Sequence, residues 1–332
     1  MSLYLKYRPF DFNTVVNQSH IIDIIRYQVS SWKTTNNYLF FWSRWTWKTT
    51  LARILARAVN CQNLSDWNPC NKCESCLGII DNKNIDFVEI DAASHTQVDN
   101  IREEILEKAI YPPSNLSKKV YIIDEVHMLS KSAFNALLKI MEEPPSYVFF
   151  ILATTEINKV PDTIVSRSQV FNFKKLSLSD IWSRLEYISD NEWFSYNKEW
   201  LDLIAYYSDW ALRDAIKYLE QVSSFGDITE ENVSNFLWIV SSSKIEEFLW
   251  LIISADLNSL DSFISSLSKS WYDLIDFLKQ VLLRIDNKFL DNPKLYSELS
   301  WILISILKDS KSFPNLNLLI KSYLFNYIKK ST

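Results

Sequence analysis

The sequence predicts an α/β fold with a parallel sheet, followed by a region that contains only helices. Three observations support this prediction. Up to about residue 175, short apolar runs alternate with helical patterns, as in a parallel sheet covered by helices. Residues 38–50 read as a buried strand that turns into a helix, with Lys48 and Thr49 at the turn. From Leu176 onwards, the apolar residues recur only at helical spacing.

The turn after the first strand is the place for a phosphate-binding loop, whose pattern is G-x-x-x-x-G-K-[ST]. Lys48 and Thr49 fit the end of this pattern, but Trp42 and Trp47 occupy its two glycine positions. Such a loop needs residues that accept left-handed backbone angles and leave their amides open to phosphate, and tryptophan does neither. As written, the loop cannot work. The candidate nucleotide-binding residues at this turn are Trp42, Ser43, Arg44, Trp45, Thr46, Trp47, Lys48, Thr49 and Thr50.

The composition shows that this problem extends over the whole chain, which has 2 glycines and 13 tryptophans among 332 residues. At an average glycine content of roughly 7%, a chain of this length would carry on the order of 20 glycines. We therefore hypothesise that most of the tryptophans are glycines in the organism, encoded by UGA codons that are read there as glycine. The alternative is a tryptophan-rich protein that has lost its phosphate-binding loop.

The length of 332 residues predicts two or three domains, and the composition is that of an ordinary globular chain. The sequence has no 18-residue apolar run and no signal-peptide pattern at its start, so we expect a cytoplasmic protein without a membrane partner. The net charge of −5 gives no overall basic field. Contact with nucleic acid would therefore need a local basic patch or an assembly.

The remaining elements follow from apolar periodicity and from start and stop signals. The first 36 residues read as a loop followed by a helix, and Thr229 caps a short helix. Breaks are expected at Pro144, at a serine linker over 241–243, near Pro293 and at Pro314. The expected helices cover 21–29, 51–59, 98–109, 132–143, 180–191, 198–207, 211–222 and 230–237, and later strands cover 87–91, 119–124, 148–155 and 170–173.

The cysteines form one pattern, in which two overlapping C-x-x-C steps follow a first cysteine nine residues upstream. This spacing suits a tetrahedral zinc site, and disulfides are not expected in a reducing compartment. Because no histidine lies nearby, a closed structural site is favoured over a catalytic one. The alternative is a set of unpaired buried thiols. The candidate zinc ligands are Cys61, Cys70, Cys73 and Cys76.

An apolar run that starts at Lys119 ends in two carboxylates, Asp124 and Glu125. Beside a phosphate-binding loop, the first acid can bind Mg²⁺ together with the hydroxyl of Thr49, and the second can activate water. By itself, such an acidic pair could also be simply a helix cap. Together with Lys48, it predicts a nucleotide-hydrolysing site at the carboxyl ends of the strands.

Three further polar residues are candidates for the same site. Thr155 follows an apolar strand and could face the γ-phosphate, although it could also simply end the strand. Arg167 lies on a loop before the next strand. Arg213 lies in the first turn of a helix, where it opposes the macrodipole and is therefore expected to serve another purpose.

Taken together, these residues closely resemble the γ/τ subunit family of the bacterial DNA polymerase III clamp loader, whose members are AAA+ ATPases. The resemblance covers essentially the whole chain and is strongest over 5–175. It rests on Tyr38-Leu-Phe, Arg44, Lys48-Thr49, the four cysteines, Asp91-Ala-Ala-Ser94, Ile123-Asp124-Glu125-Val-His127-Met-Leu, Phe134-Asn-Ala-Leu-Leu-Lys139, Glu142-Glu-Pro-Pro145, Ala153-Thr-Thr155, Ser166-Arg167 and Leu212-Arg213-Asp214.

The family pattern also bears on the glycine hypothesis. Glycine is expected at several positions where this chain has tryptophan, namely Trp32, Trp42, Trp45, Trp47, Trp210 and Trp238. Trp250 and Trp301, in apolar helical stretches, could be true tryptophans. Asn17 stands at another usual glycine position, and asparagine tolerates left-handed angles. Ser168 replaces a family cysteine but leaves Arg167 in place.

The resemblance implies a role for each candidate residue around a bound ATP. Lys48 would neutralise the β- and γ-phosphates, Thr49 and Asp124 would bind Mg²⁺, and Glu125 would activate water. Thr155 would sense the γ-phosphate. The two arginines listed above would complete the site: Arg167 would act in trans as an arginine finger on a neighbouring subunit's ATP, and Arg213 would couple the nucleotide to a helical lid.

The resemblance also implies an AAA+ domain over 1–175 with a zinc insert at 61–76, a helical lid over 176–240 and a helical collar over 241–332. The expected partners are other clamp-loader subunits of the δ and δ′ types, the sliding clamp and primed DNA, within a hetero-oligomer. The implied work is ATP-driven loading of the clamp, as part of the DNA-directed DNA polymerase III holoenzyme. The end of the chain at Thr332 is that expected of a short, γ-like form.

Two alternatives belong to other classes. The run Asp124-Glu125-Val-His127 also matches the D-E-x-H pattern of helicases, but a helicase needs a second RecA-like domain, and 177–332 reads as helical. A non-catalytic scaffold subunit of the same assembly is expected if the tryptophans of the loop are real.

We expect UGA codons at positions 42, 45 and 47, since glycine is what a phosphate-binding loop requires there. Sequencing the gene and the peptides of the protein isolated from its own organism checks this, because the peptides would contain glycine. UGG codons at these positions would refute the hypothesis.

Overall fold

The computed structural model describes residues 2–41, 48–94, 105, 107–237, 239–269 and 273–331. Contacts within the chain divide it into two compact units. The first comprises the residues up to 192 together with 202–220, and the second comprises 193–201 together with 221–332.

The first unit is built on a five-stranded parallel sheet with the strand order β2-β3-β4-β1-β5. In the register, Phe41 pairs with Thr154, so the ends of β1 and β4 lie side by side. The neighbouring strand β3 ends at Asp124. The carboxyl ends of β1, β4 and β3 therefore meet at one edge of the sheet. The strands are β1 Asn37–Phe41, β2 Phe87–Asp91, β3 Lys119–Asp124, β4 Val148–Thr154 and β5 Gln169–Asn172.

Helices cover this sheet because its central strands are apolar on both faces, and every residue of β4 is buried. Leu51, Ile54 and Leu55 of the helix after β1 are fully buried. The described helices up to Ser223 are α1 Leu3–Lys6, α2 Ser19–Ser30, α3 Lys48–Asn60, α4 Glu74–Ile80, α5 Lys131–Glu142, α6 Asp162–Val165, α7 Leu178–Asn191, α8 Lys198–Tyr207 and α9 Leu212–Ser223, of which α8 begins in the second unit.

The rest of the chain contains only helices among its described residues. From Ser242 onwards, the apolar stripes of these helices meet in one core around Phe248, Phe277 and Leu299, all of which are almost completely buried. These helices are α10 Glu230–Leu237, α11 Ser242–Ile253, α12 Leu257–Lys269, α13 Leu274–Lys288, α14 Pro293–Asp309 and α15 Leu316–Ser331.

The predicted fold class is confirmed, since a parallel sheet with its helices is followed by helices only. The expected helix over 98–109 falls mostly outside the described residues. The linker expected over 241–243 is wrong in part, because Ser242 and Ser243 already belong to α11. Serine is a preferred N-cap residue, and Ser241 stands at the N-cap with non-helical backbone angles, so the helix can begin at Ser242. The first residues also contain the short helix α1, where a loop was expected.

Four of the tryptophans that the structure describes have left-handed backbone angles, which bulky L-residues almost never adopt: Trp32, Trp67, Trp193 and Trp210 have φ of 54°, 60°, 59° and 59°. Trp32 occupies the position after the C-cap of α2, and the amide of the next residue, Lys33, donates to the carbonyl of Gln28 at 3.0 Å. This is a Schellman motif, in which glycine is the usual residue at that position. The family pattern expects glycine at both Trp32 and Trp210.

Other described tryptophans lie within helices and show no such angle: Trp182, Trp200, Trp250 and Trp301. The backbone angles therefore separate the described tryptophans into a left-handed group and a helical group. Asn17 and Asn82, two asparagines at left-handed positions, have φ of 54° each, so the chain also uses ordinary residues for such turns.

Replacing Trp32 or Trp193 by glycine in the protein as printed is expected to raise the free energy of unfolding. The side chains are 81% and 92% exposed, so little packing is lost, and relief of the left-handed angle contributes about 1 kcal/mol. The matched control is Trp301→Gly inside α14, also largely exposed, which is expected to lower stability by about 1 kcal/mol. Urea unfolding of the three variants measures this, and a loss of stability in all three would contradict it.

Candidate nucleotide site and four-cysteine cluster

The start of α3 and the end of β3 meet at the carboxyl edge of the sheet. The Oγ1 of Thr49 donates to Oδ2 of Asp124 at 2.5 Å. Lys48 Nζ lies 3.7 Å from Oε1 of Glu125, an ion pair too long for a hydrogen bond, and its side chain is only 6% exposed. Burial lowers the pKa of Lys48, while the charges of Glu125 and Asp124 oppose this shift. A buried ammonium beside two carboxylates and a hydroxyl can bind phosphate and a hard cation.

Glu125 is held in a defined position by its neighbours. Its backbone has left-handed angles, with φ of 47°, and its amide donates to Oδ1 of Asp124 at 3.0 Å. Its Oε2 accepts a hydrogen bond from Oγ1 of Thr155 at 3.0 Å and from the Thr155 amide at 3.3 Å. Non-glycine residues with such angles are concentrated at functional sites. The structure thus joins Thr155 directly to the second carboxylate.

His127 adds a contact that the sequence reasoning did not assign to the site. Its Nδ1 lies 3.3 Å from Oε2 of Glu125 and 3.0 Å from Oγ1 of Thr154. Its Nε2 lies 3.4 Å from Oε1 of Glu156. The D-E-x-H pattern was the available signal, because it places this histidine two residues after the acidic pair.

Arginines from distant parts of the chain lie near the first turn of α3. The Nε of Arg8 donates to Oγ1 of Thr50 at 2.9 Å. Burial and the charge of Arg53 lower the pKa of Arg8, and Arg213 acts in the same direction. The guanidinium of Arg213 lies over the ring of Tyr4, 5.0 Å from its centre. Arg8 therefore contacts the first turn of α3, and Arg213 lies near Arg8.

Arg167 has a different environment. Its Nη2 lies 2.8 Å from Oε1 of Glu142, and its Nη1 donates to the carbonyl of Thr163 at 3.0 Å. Among the described residues, the hydrogen bonds of this guanidinium therefore do not reach Lys48 or Glu125, and the side chain is 36% exposed.

Trp42, Ser43, Arg44, Trp45, Thr46 and Trp47 lie outside the described residues, as does Trp238.

The four-cysteine cluster consists of Cys61, Cys70, Cys73 and Cys76, whose Sγ atoms all lie within 4.8 Å of one another. A tetrahedron with Zn–S bonds of about 2.3 Å has sulfur atoms about 3.8 Å apart. Amides already point at the sulfurs: the amide of Cys70 donates to Cys61 at 3.2 Å, and that of Cys73 donates to Cys70 at 3.3 Å. The donor set and its spacing fit a tetrahedral metal.

The thiol pKa values depend on the same contacts. Burial raises the pKa of Cys76 above its usual range. At Cys70, burial acts in the same direction but is outweighed by the amides of Lys72 and Cys73, and the pKa falls to about 6. A thiol with a low pKa is already a thiolate at neutral pH, which is the form that binds metal.

Arg57 lies in the last turn of α3, beside this cluster. It is 4% exposed, and none of the salt bridges among the described residues includes it. Burial lowers its pKa to about 10, while Cys76 opposes that shift. Four thiolates around Zn²⁺ carry a net charge of about −2, so a buried cation beside them is favourable.

The sheet, the strand order and the residues at its carboxyl edge define a P-loop ATPase fold with additional helices. Solved structures of Thermotoga maritima RuvB, titled a Holliday junction branch migration motor, share it with a TM-score of 0.53. The match has 15% identity and covers 84% of this chain and 91% of that chain. At that identity, the likeness shows the fold alone. The family model described as DNA polymerase III, delta subunit, matches residues 17–177.

Relatives narrow the class to one family. The Bacillus subtilis DNA polymerase III subunit tau is 46% identical over 228 residues, which are 68% of this chain and 40% of that protein. The subunit gamma of Buchnera aphidicola subsp. Baizongia pistaciae is 39% identical over 279 residues, which are 83% of this chain and 75% of that protein. The chain belongs to the gamma/tau subunit family of DNA polymerase III, as the motifs predicted.

No helix in the part of the chain that the structure describes is both long enough and apolar enough to cross a membrane.

Proposed function

We propose that this chain is an ATP-hydrolysing subunit of the DNA polymerase III clamp loader, which uses ATP to load the sliding clamp on primed DNA. Membership of the gamma/tau family supports the role. The observation that carries the chemistry is the contact of Thr49 with Asp124 beside Glu125, which Thr155 and Lys48 hold in place.

In this proposal, the residues around Glu125 divide the work of hydrolysis. Lys48 binds the β- and γ-phosphates, and its loss of hydration in the buried site makes it a strong anion partner. Thr49 and Asp124 supply oxygen ligands for Mg²⁺, which when bound neutralises phosphate charge. Glu125 orients water and takes its proton, and Thr155, bonded to Glu125, responds to the γ-phosphate.

Two arginines extend the proposal beyond the single site. Arg167 is exposed and bonded to Glu142 within its own chain, which suits a residue that acts on the ATP of an adjacent subunit. Arg213 lies near Arg8 and carries the state of the nucleotide to the helices that follow. In GTPases, an arginine finger raises the rate of nucleotide hydrolysis by roughly 10³–10⁵.

The proposed domains are an AAA+ domain over 1–175, a helical lid over 176–240 and a collar over 241–332. The proposed partners are δ- and δ′-type subunits, the sliding clamp and primed DNA, in a cytoplasmic hetero-oligomer within the DNA polymerase III holoenzyme. The cysteine cluster holds a structural zinc ion in this proposal, which the sulfur spacing supports.

We infer further that the functional chain has glycine at positions 42, 45 and 47. The left-handed angles at four other tryptophans support the same reading of their codons. We call the protein with these three replacements the glycine form. The second candidate function, a non-catalytic scaffold subunit, is favoured only by the printed tryptophans, and ATP binding by both forms in one assay separates the two.

Glu125→Gln in the glycine form is expected to leave ATP binding intact and to slow hydrolysis by about 10²–10⁴, because the amide cannot take the proton of water. Phosphate release and binding of a fluorescent nucleotide, measured in the reconstituted complex, check the two effects. Glu247→Gln is the matched control, since Glu247 is an exposed glutamate of α11 outside the contacts of this site, and it is expected to keep the parent rate. An equal loss of the hydrolysis rate in both variants would contradict the assignment of Glu125 as the residue that activates water.

Mixing two inactive variants tests whether Arg167 acts between subunits. Arg167→Ala keeps its own Glu125, and Glu125→Gln keeps its own Arg167, so only a mixed assembly can combine both at one site. We expect each variant alone to be inactive and their mixture to regain a measurable part of the ATPase rate. Hydrolysis by an obligate monomer, or a mixture without activity, would argue against action in trans.

A further inference from the structure

The structure connects the four-cysteine cluster to the nucleotide site through a short segment near the start of the chain, residues 8–12, which we call the strap. The strap begins with Arg8, which donates to Thr50 in the first turn of α3. It ends with Phe12, whose side chain is 1% exposed. Between these two ends, the strap lies along α3 and the cysteine loop.

The cysteine loop holds the strap by its backbone. Asn68 Oδ1 accepts a hydrogen bond from the amide of Phe12 at 2.9 Å, and Asn71 Nδ2 donates to the carbonyl of Phe10 at 3.1 Å. These asparagines stand on either side of the metal-ligand candidate Cys70. Asn71 has φ of 57° and lies inside the first C-x-x-C turn, so the turn around the metal determines where its side chain points.

Arg57 joins the same three parts. Its Nη2 donates to the carbonyl of Phe10 at 3.0 Å, and its Nη1 donates to Oδ1 of Asn71 at 2.7 Å. Arg57 belongs to α3, the helix that begins with Lys48 and Thr49. Strap, cysteine loop and nucleotide helix therefore meet at one buried cation.

The Arg8 end of the strap is suited to binding an anion. The guanidinium of Arg8 is part-buried, its hydrogen bond among the described residues goes to the neutral hydroxyl of Thr50, and none of the described salt bridges includes it. Besides burial, Arg53 and Arg213 lower the pKa of Arg8, although Arg53 is itself paired with Glu89, whose charge acts in the opposite direction. A guanidinium in this position can form charge-assisted hydrogen bonds with the phosphates of a nucleotide bound at the start of α3.

We propose that the metal-bound cysteine loop positions the strap, and through it Arg8, so that metal binding and nucleotide binding favour each other. The proposal rests on the proposed nucleotide site. With the metal removed, Asn68 and Asn71 lose their fixed positions, and the strap loses two backbone anchors. Because coupling between two sites is reciprocal, bound nucleotide also raises the affinity for the metal by the same factor.

The test is Asn71→Gly in the glycine form. Glycine keeps the left-handed angle that this position needs, leaves every cysteine in place and removes both hydrogen bonds of the side chain. Asn82→Gly is the matched control, since this asparagine has φ of 54° at the end of α4, and its side chain makes none of the strap contacts. Asn68→Ala, which removes the acceptor of the Phe12 amide, is a second variant.

Asn71→Gly is expected to retain its zinc, measured by elemental analysis, and to bind the fluorescent nucleotide mant-ADP about threefold to tenfold more weakly, as expected for two lost hydrogen bonds. Amide hydrogen exchange over residues 8–12 rises in the same variant. Chelating zinc from the parent reproduces both effects, and chelation adds little to them in Asn71→Gly. Asn82→Gly behaves like the parent.

Parent affinity for mant-ADP in Asn71→Gly, or exchange over 8–12 that does not respond to zinc removal, would overturn the proposal. If instead the parent glycine form binds no nucleotide, the proposed function fails. The exchange measurement still decides whether the metal positions the strap, because it needs no nucleotide.

Discussion

The structure depends on the burial of α3 against the parallel sheet. Leu51, Ile54 and Leu55 are fully buried, so the helix can neither rotate nor slide without exposing apolar surface, at about 25 cal/mol for each Å². Its first turn then has to present Thr49 at the edge where β3 ends in Asp124. Its last turns carry Arg57 towards the cysteine loop. One packed helix thus fixes the positions of both candidate sites.

Charge at these sites is arranged around cations that are kept from water. Lys48 is offset by Glu125 within its own site, whereas Arg8 and Arg57 have no carboxylate partner in the described salt bridges. Burying a cation without a partner is costly unless an anion completes the site. In the proposed function, a phosphate beside Arg8 and a thiolate-bound metal beside Arg57 would be these anionic partners. The two unmatched arginines therefore link the proposed ligands to the stability of the fold.

Backbone angles carry separate information about the identity of the residues. At the described positions with φ between 47° and 60°, this chain has asparagine, aspartate, Glu125, Ala255 and, at four places, tryptophan. A tryptophan inside a helix, such as Trp301, meets no such constraint. The described tryptophans therefore fall into two groups, one with left-handed angles and one inside helices. That division is what a mixture of replaced glycines and true tryptophans would produce.

The sequence by itself determined the fold class and most of the strands and helices up to residue 237, and it predicted the two candidate sites. It could do so because apolar periodicity and short motifs such as Asp124-Glu125 are local, and each can be read within a few residues. It missed the helical start of α11, because serine suits both linkers and N-caps. Only the tertiary structure decided that Arg8 meets Thr50 and that Asn71 meets Phe10. Those partners lie 42 and 61 residues apart, and packing against the sheet, rather than any local pattern, brings them together.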